Sequence, residues 1–262
     1  MAAPTPPAEE VILIPQSFSS PTHFHEIVDR YKKLRLQGLQ VDPNSFSSTY
    51  AEESQFPAET WQSRIANPSG KTFISVMDGN KSPENTEENI LEPSNLKENQ
   101  ESPSLALQKL LQKEWMGQIT ILGPEIFLNP EESLEETPNR RPWDIFIKDG
   151  GYSIPCTPPH TLNLDGAHIV YLVVGMFVLP QARRRGNARR LLEAAVQAVR
   201  EEGRARGARA ASIVLQVESG IDNAQRLYGR VGFQAWGTVV LQNRHGKPSP
   251  MVAMVNEVGL AD

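Results

Sequence analysis

A short stretch of small and basic residues has the composition and spacing to bind an anionic ligand. Gly186 and Ala188 stand three and five residues after Arg183, between an apolar run and a segment of helical periodicity. The small residues therefore fall at a helix N-terminus, where backbone N–H groups lack partners and the helix dipole is positive. Small residues let a phosphate approach that backbone, and arginines add forked donors. The pattern indicates pyrophosphate binding.

The flanking segments predict a strand and a helix. Residues 169–178 are rich in β-branched and aromatic types, as in a strand buried on both faces. After the loop, apolar residues recur with helical spacing at Leu191, Leu192, Ala195, Val196 and Val199. Taken alone, this stretch also fits a solvated basic helix start.

A second segment repeats the strand–helix arrangement about 45 residues further along. A strand is predicted over Ser212 to Val217, and the following helix carries Ala224, Leu227 and Tyr228. The helix ends at Gly232, and a new strand begins at Phe233.

Together the two segments resemble the GNAT superfamily of acyl-CoA-dependent N-acyltransferases. The first matches the family pattern Q/R-x-x-G-x-G/A at Arg183, Gly186 and Ala188, and the second matches A-x-x-L-Y-x-x-x-G-F. With its long insertions, the chain is similar to a fungal-like member. The resemblance implies an α/β (α+β) fold. Its mixed, mostly antiparallel central sheet would be splayed between strands 4 and 5 and flanked by about four helices.

The resemblance also implies a coenzyme site for acetyl-CoA as cosubstrate, without a metal. The pantetheine arm would enter between the fourth and fifth strands, and a backbone N–H at the edge of the fourth strand would polarise the acetyl carbonyl. The loop would hold the pyrophosphate. The residues assigned to the coenzyme in this way are Met176, Phe177, Val178, Arg183, Arg184, Arg185, Gly186, Asn187, Ala188 and Arg189.

Catalytic roles follow from the same resemblance. Tyr228 stands where the family places a tyrosine that acts as general acid toward the departing thiolate. Many relatives carry a carboxylate on the fourth strand, but this chain has none there. Glu218, just after the fifth strand, is the acidic residue predicted near the cleft. A water chain would serve as an alternative base, and a surface turn would also explain Glu218.

One position departs from the family pattern. Ile221 stands where the family commonly has an asparagine three residues before the alanine of the second motif. Asn223 lies two residues later, and two roles are open for it: a contact to the coenzyme, or a cap on the helix.

Charge is distributed unevenly over the 262 residues, whose net charge is −5. Residues 81–136 hold 12 Glu and 4 Lys, whereas residues 183–209 hold 9 Arg and 3 Glu. A basic segment on an acidic protein favours a specific anionic ligand over nucleic acid. We expect no membrane segment, and the lack of a signal-peptide pattern at the N-terminus predicts a cytoplasmic protein, with a nuclear location not excluded.

The chain is predicted to form one domain over residues 1–262 with two insertions. Residues 80–104 are polar and acidic, as in a disordered segment. Residues 129–165 are irregular and rich in proline. Outside these insertions the predicted order is β-α-α-β-β-β-α-β-α-β-β, with strand 3 ending at Gly123-Pro124.

Two functions are compatible with these residues. The first is an N-acetyltransferase acting on a small-molecule or peptide amine, and the acidic insertions would attract a cationic acceptor. The second is a non-catalytic acyl-CoA-binding sensor or interaction module, which the missing strand carboxylate and Ile221 favour. The sequence determines neither the acceptor nor the oligomeric state.

Overall fold

The computed structural model describes residues 9–78, 104–127, 142–148, 151–152, 154–242 and 248–261. The predicted insertion at 80–104 lies outside these residues except for Ser104, and the insertion at 129–165 is described only in part.

The described residues form nine strands, seven of which build one sheet. The strands are β1 (Glu9–Leu13), β2 (Gly70–Met77), β3 (Glu114–Phe127), β4 (Ile147–Lys148), β5 (Gly151–Tyr152), β6 (His168–Val178), β7 (Ala210–Glu218), β8 (Gln234–Gln242) and β9 (Pro248–Val258). The sheet order is β1-β2-β3-β6-β7-β9-β8, and β4 pairs with β5 in a separate two-stranded ribbon. Neighbours in the sheet are antiparallel, except that β6 and β7 are parallel. The predicted mixed, mostly antiparallel sheet is therefore confirmed.

Six α-helices accompany the sheet in the described part of the chain. They are α1 (Pro21–Val41), α2 (Tyr50–Glu53), α3 (Ala58–Ile65), α4 (Leu105–Gln112), α5 (Asn187–Ala205) and α6 (Asp222–Arg230). Four of them, α1, α3, α5 and α6, are the predicted flanking helices. The single turn of α2 has no helical periodicity in the sequence, but a capping box between Thr49 and Glu52 stabilises it.

Strand β3 continues beyond its predicted end. It runs through Gly123-Pro124 to Phe127, because a register shift between Leu122 and Glu125 accommodates the two residues opposite Tyr171 of β6. The prediction that strand 3 ends at this dipeptide is wrong, since a Gly-Pro pair at a bulge need not end a strand.

One face of the sheet is covered by α5 and α6, and we call it the α5 face. The Ser75 hydroxyl of β2 donates to Asn187 Oδ1 at 2.8 Å, and the Tyr171 hydroxyl of β6 donates to Glu202 at 2.7 Å. Both acceptors belong to α5. On the same face, Asn256 Nδ2 of β9 donates at 2.8 Å to the carbonyl at the end of α6.

The opposite face carries α1 on one half of the sheet, and we call it the α1 face. Phe177 of β6 packs there on Gly38 of α1, where an added Cβ would lie 3.1 Å from the ring. On the other half, buried Trp143 belongs to a core cluster with Leu172 of β6 and Val214 of β7. The C-terminal ends of β6 and β7 lie between α1 and the Trp143 cluster.

The sheet opens between β6 and β7, as predicted for the fourth and fifth strands of the family sheet. The two strands pair only from His168 to Leu172 and from Ala210 to Val214. Beyond these residues the two strands continue, to Val178 and Glu218, without pairing to each other. The unpaired backbone edges face the gap.

A buried carboxylate holds the first three helices together. Glu53 of α2 is 1% exposed and receives hydrogen bonds from Arg35 of α1 at 2.6 Å, Arg64 of α3 at 2.7 Å and Ser48. Burial alone would raise the pKa of Glu53, but the two guanidinium groups and the hydroxyl outweigh it and lower that pKa to about 2. The ionised carboxylate therefore contributes to stability.

Replacing Glu53 by Gln should remove a pH-dependent part of the folding free energy. Because the folded-state pKa lies below the unfolded one, this contribution is present above about pH 4.5 and disappears as the pH falls toward 2. The shift corresponds to about 3 kcal/mol at neutral pH. Urea denaturation at pH 7 and pH 3 measures the difference in the free energy of unfolding between the wild type and Glu53→Gln. The exposed Glu59→Gln serves as control, and an equal loss for Glu53→Gln at both pH values would contradict the assignment.

Candidate active site

A bulge in β6 lies at the opening of the sheet. Gln118 of β3 pairs with Phe177, whereas Thr120 pairs with Val174, so β6 holds one extra residue between these pairs. Gly175 adopts a positive φ of 63° at this bulge. Gly175 and Met176 pair with neither β3 nor β7. Their backbone groups are available to an extended ligand that adds to the edge of β6.

The three residues predicted along this edge differ in what they offer. Met176 lies in the bulge, while Phe177 and Val178 are in register with β3 and not with β7. The carbonyl of Val178 already accepts a hydrogen bond from Arg183 Nε at 2.9 Å. Met176 is therefore the best placed of the three for a backbone contact across the gap.

The predicted phosphate loop leads directly into α5. A short 3-10 helix from Pro180 to Ala182 is followed by Arg184 with φ 61° and by Gly186 with φ 84°, which is the N-cap of α5. Within the described part of the chain no side chain caps the helix, so the N–H groups of its first turn lack side-chain acceptors there. With 19 residues, α5 presents a positive dipole end at this loop.

Arg183 is part of a clamp within the protein. Its guanidinium forms an ion pair with Asp42, the C-cap of α1, at 3.1 Å, and lies over the Phe177 ring at 5.8 Å from the centroid. Together with the bond to the Val178 carbonyl, these contacts tie the loop to β6 and α1.

The other predicted arginines differ in their partners. Arg185 lies 3.8 Å from the Glu9 carboxylate of β1, and Arg189 pairs with Glu193 on the exposed side of α5 at 3.5 Å. Arg184 is exposed and has no ion pair or hydrogen bond within the described residues. It is therefore the loop arginine most available to an anion.

Asn187 points its side chain into the protein. The amide is 1% exposed; its Oδ1 accepts from Ser75 and Arg190, each at 2.8 Å, and its Nδ2 donates to the Ala182 carbonyl at 2.9 Å. Only the backbone N–H of Asn187 remains for the predicted contact to a coenzyme. Ala188 is half-buried and packs on the core.

Tyr228 of α6 lies half-buried on the α5 face. Its ring meets Phe233 edge to face, with the centroids 5.8 Å apart. The hydroxyl has no hydrogen-bond partner in the part of the chain that the structure describes. Burial raises the pKa of Tyr228 to about 12, so the hydroxyl keeps its proton at neutral pH.

Glu218 lies on the opposite face of the sheet. Glu218 follows Val214 by four residues on β7, so both side chains lie on the α1 face. Ser249 of β9 donates there to the Glu218 Oε1 at 3.1 Å. Glu218 is half-buried beside the gap. The two predicted catalytic groups thus stand on different sides of the opening in the sheet.

Asn223 does not cap α6. The N-cap position is Ile221, and the Asn223 Oδ1 accepts from Arg226 one turn further along the helix. The capping alternative is therefore wrong, because Asn223 lies inside the helix, whereas a contact to the coenzyme stays a prediction.

One polar residue at the site was missed in the sequence. Gln118 of β3 is 1% exposed and lies opposite Phe177, on the α1 face next to the bulge. Its signal in the sequence is weak: one glutamine in the apolar run from Trp115 to Leu122.

The described residues include no group of three or more His, Cys, Asp or Glu side chains that could hold a metal ion. None of their helices is long and apolar enough to cross a membrane.

Known proteins resemble both the sequence and the fold. Residues 156–235 match the family model described as an acetyltransferase (GNAT) domain. No curated protein matches the chain. The fold is similar to that of NAA60 from Arabidopsis thaliana in complex with acetyl-CoA, with a TM-score of 0.51 and 14% identity over 96% of this chain and 99% of that chain. It is also similar to spermidine N-acetyltransferase from Vibrio cholerae in complex with CoA and spermine, with a TM-score of 0.47 and 10% identity over 95% of each chain.

The matched residues contain β6, the loop, α5, β7 and α6, which are the elements of the site. The match to the acetyltransferase (GNAT) domain model therefore covers the elements of the site, and the structural comparison shows the same fold.

Proposed function

We propose that the protein is an N-acetyltransferase that transfers the acetyl group of acetyl-CoA to a primary amine. The observation that carries the proposal is the unpaired edge of β6, with its bulge at Gly175 and Met176, directly ahead of an uncapped helix N-terminus. An extended arm that carries amide groups fits the unpaired edge of β6, and a pyrophosphate fits the N-terminus of α5.

The residues at the loop suit a pyrophosphate. The N-cap Gly186 has a φ that L side chains rarely adopt, and it leaves the backbone open for close approach. The N–H groups of Gly186, Asn187 and Ala188 would donate to the phosphate oxygens, with Arg184 as an added charge. When bound, acetyl-CoA supplies an activated acetyl group as a thioester.

In direct transfer of the acetyl group to the amine, one proton transfer takes place on each face of the sheet. The amine nitrogen forms a bond to the acetyl carbon, the C–S bond breaks, and the amine proton passes to the carboxylate of Glu218 on the α1 face. Tyr228 on the α5 face donates its hydroxyl proton to the departing sulfur. The hydroxyl is protonated at neutral pH, as a proton donor to the sulfur must be. The acceptor, a small-molecule or peptide amine, would enter from the α1 face.

Incubation with acetyl-CoA and amines tests the activity. The mixture holds 2-phenylethylamine, spermidine and a short peptide with a free α-amine, and mass spectrometry detects the product while a thiol reagent detects released coenzyme A. We expect an acetylated amine and an equal amount of free thiol. Binding of acetyl-CoA without any product from this or a wider amine panel would favour the non-catalytic alternative.

Replacing Glu218 by Gln should lower kcat/KM for the amine about 100-fold, because a proton acceptor is lost while shape is kept. Binding of acetyl-CoA should be unchanged. Ser249→Ala is the matched control: it removes the hydroxyl that donates to Glu218 but keeps the carboxylate, so a smaller loss is expected. An unchanged kcat/KM for Glu218→Gln would assign the base to another group.

A further inference from the structure

The fold satisfies only part of the hydrogen-bonding capacity of the Gln118 side chain. Its Nε2 donates to the Gly175 carbonyl at 3.4 Å, which is a long hydrogen bond. Its Oε1 is buried and has no partner in the described part of the chain. A buried acceptor without a donor lowers the stability of the folded protein. Such a group in the middle of a sheet indicates an occupant that supplies the donor.

The orientation of the amide is set by its neighbour. Reversing the amide would place its oxygen against the Gly175 carbonyl oxygen, and two acceptors repel each other. The Nε2 therefore faces Gly175 of β6, and the Oε1 is the group left for a ligand.

The amide lies next to the bulge of β6, on the α1 face of the sheet. Gln118 shares this face with Phe177, its partner across β3 and β6. Gly175 has no side chain to cover the amide; a Cβ added there would lie 3.8 Å from the Nε2. Glu218 belongs to the same face on the far side of the gap. The unpaired stretch of β6 therefore lies between two hydrogen-bond acceptors, the neutral Gln118 Oε1 and the Glu218 carboxylate.

We propose that Gln118 positions the acceptor amine and selects primary over secondary amines. The inference rests on the proposed function. A primary amine that attacks through its lone pair has two N–H groups: one directed to Glu218, which takes the proton, and one directed to the Gln118 Oε1. A secondary amine has a single N–H and leaves the Gln118 oxygen unpaired. Because an amide cannot accept the proton at neutral pH, Gln118 orients the nitrogen and does not act as base.

Competition between matched amines tests the proposal. Each amine of the mixture above is offered together with its N-methyl derivative, and mass spectrometry gives the ratio of the two products. The variants are Gln118→Leu and Gln118→Met, which fill similar space without the oxygen. Thr120→Val is the control: it lies on the same strand and face, but its hydroxyl is paired with Thr72 at 2.8 Å.

The wild type should prefer the primary amine, and both Gln118 variants should lose about tenfold in kcat/KM for it while turnover of the N-methyl amine is unchanged. Acetyl-CoA affinity should stay within about twofold. The melting temperature should change little, because the unpaired oxygen is removed together with the long hydrogen bond from Nε2 to the Gly175 carbonyl. Thr120→Val should lower the melting temperature and keep the product ratio.

Three results would overturn the inference. If the wild type acetylates both amines of a pair equally, the inference about Gln118 is wrong, although the proposed function stands. Unchanged ratios in both Gln118 variants, with a lowered melting temperature, would show a purely structural glutamine. A wild type that binds acetyl-CoA and acetylates no amine would remove the proposed function itself and the inference with it.

Discussion

Replacing Tyr228 by Phe should lower kcat about 100- to 1000-fold while the affinity for acetyl-CoA is retained. The ring keeps its edge-to-face contact with Phe233, so α6 stays packed, and only the proton for the leaving sulfur is lost. Calorimetry gives the affinity, and release of free thiol gives kcat. The same result separates an enzyme from a binding module, since a module has no turnover to lose.

The pH profile of the wild type provides a second readout for Tyr228. Its pKa is raised by burial to about 12, and the protonated form is the one that donates. No loss of kcat from this group is therefore expected as the pH rises from 7 to about 10.

Tyr171→Phe is the matched control for Tyr228→Phe, because Tyr171 is also on the α5 face but donates a hydrogen bond to Glu202, away from the gap. An equal loss of kcat in both variants would contradict the assignment.

Replacing Gly186 by Glu should abolish detectable binding of acetyl-CoA. The substitution brings a carboxylate to the helix N-terminus where a pyrophosphate would lie, and repulsion between such charges is worth several kcal/mol near a protein surface. The φ of 84° adds strain for any residue with a Cβ. Isothermal titration calorimetry should show the affinity falling more than about 100-fold.

Gly166→Glu is the matched control for this strain. Gly166 has a similar φ of 67°, and an added Cβ there would meet nothing within 4 Å. It lies just ahead of β6, at the opposite end of that strand from the phosphate loop. This variant should lose some stability and bind acetyl-CoA as the wild type does. Binding retained in Gly186→Glu, with the protein folded, would exclude the loop as the phosphate site.

Local patterns in the sequence were enough to predict the main elements. The apolar residues of α5, from Leu191 to Val199, are buried as their spacing predicts, and the run from Ile169 to Val178 forms β6. The opening between β6 and β7 followed from the family resemblance, and the pairing confirms it. The single turn of α2 has no period that a pattern could reveal.

Long-range partners could not be predicted in this way. Arg183 meets Asp42, which is 141 residues away, and Asn187 meets Ser75, 112 residues away. Because of these contacts, the Arg183 side chain ties the loop to α1 and the Asn187 side chain is buried, although both residues lie within the predicted phosphate loop. The bulge at Gly175 depends on the register with β3, and Gln118 gains its role only through that bulge. Such features arise from pairing between strands, which residue types alone do not specify.

A crystal structure of the complex with coenzyme A tests the central claim most directly. We expect the pantetheine arm between β6 and β7, with its amides bonded to the backbone at Gly175 and Met176, and the pyrophosphate at the N–H groups of Gly186 to Ala188. The sulfur should then lie near the Tyr228 hydroxyl. A coenzyme bound elsewhere, with the gap between β6 and β7 empty or closed, would contradict the proposed acyl transfer at this site.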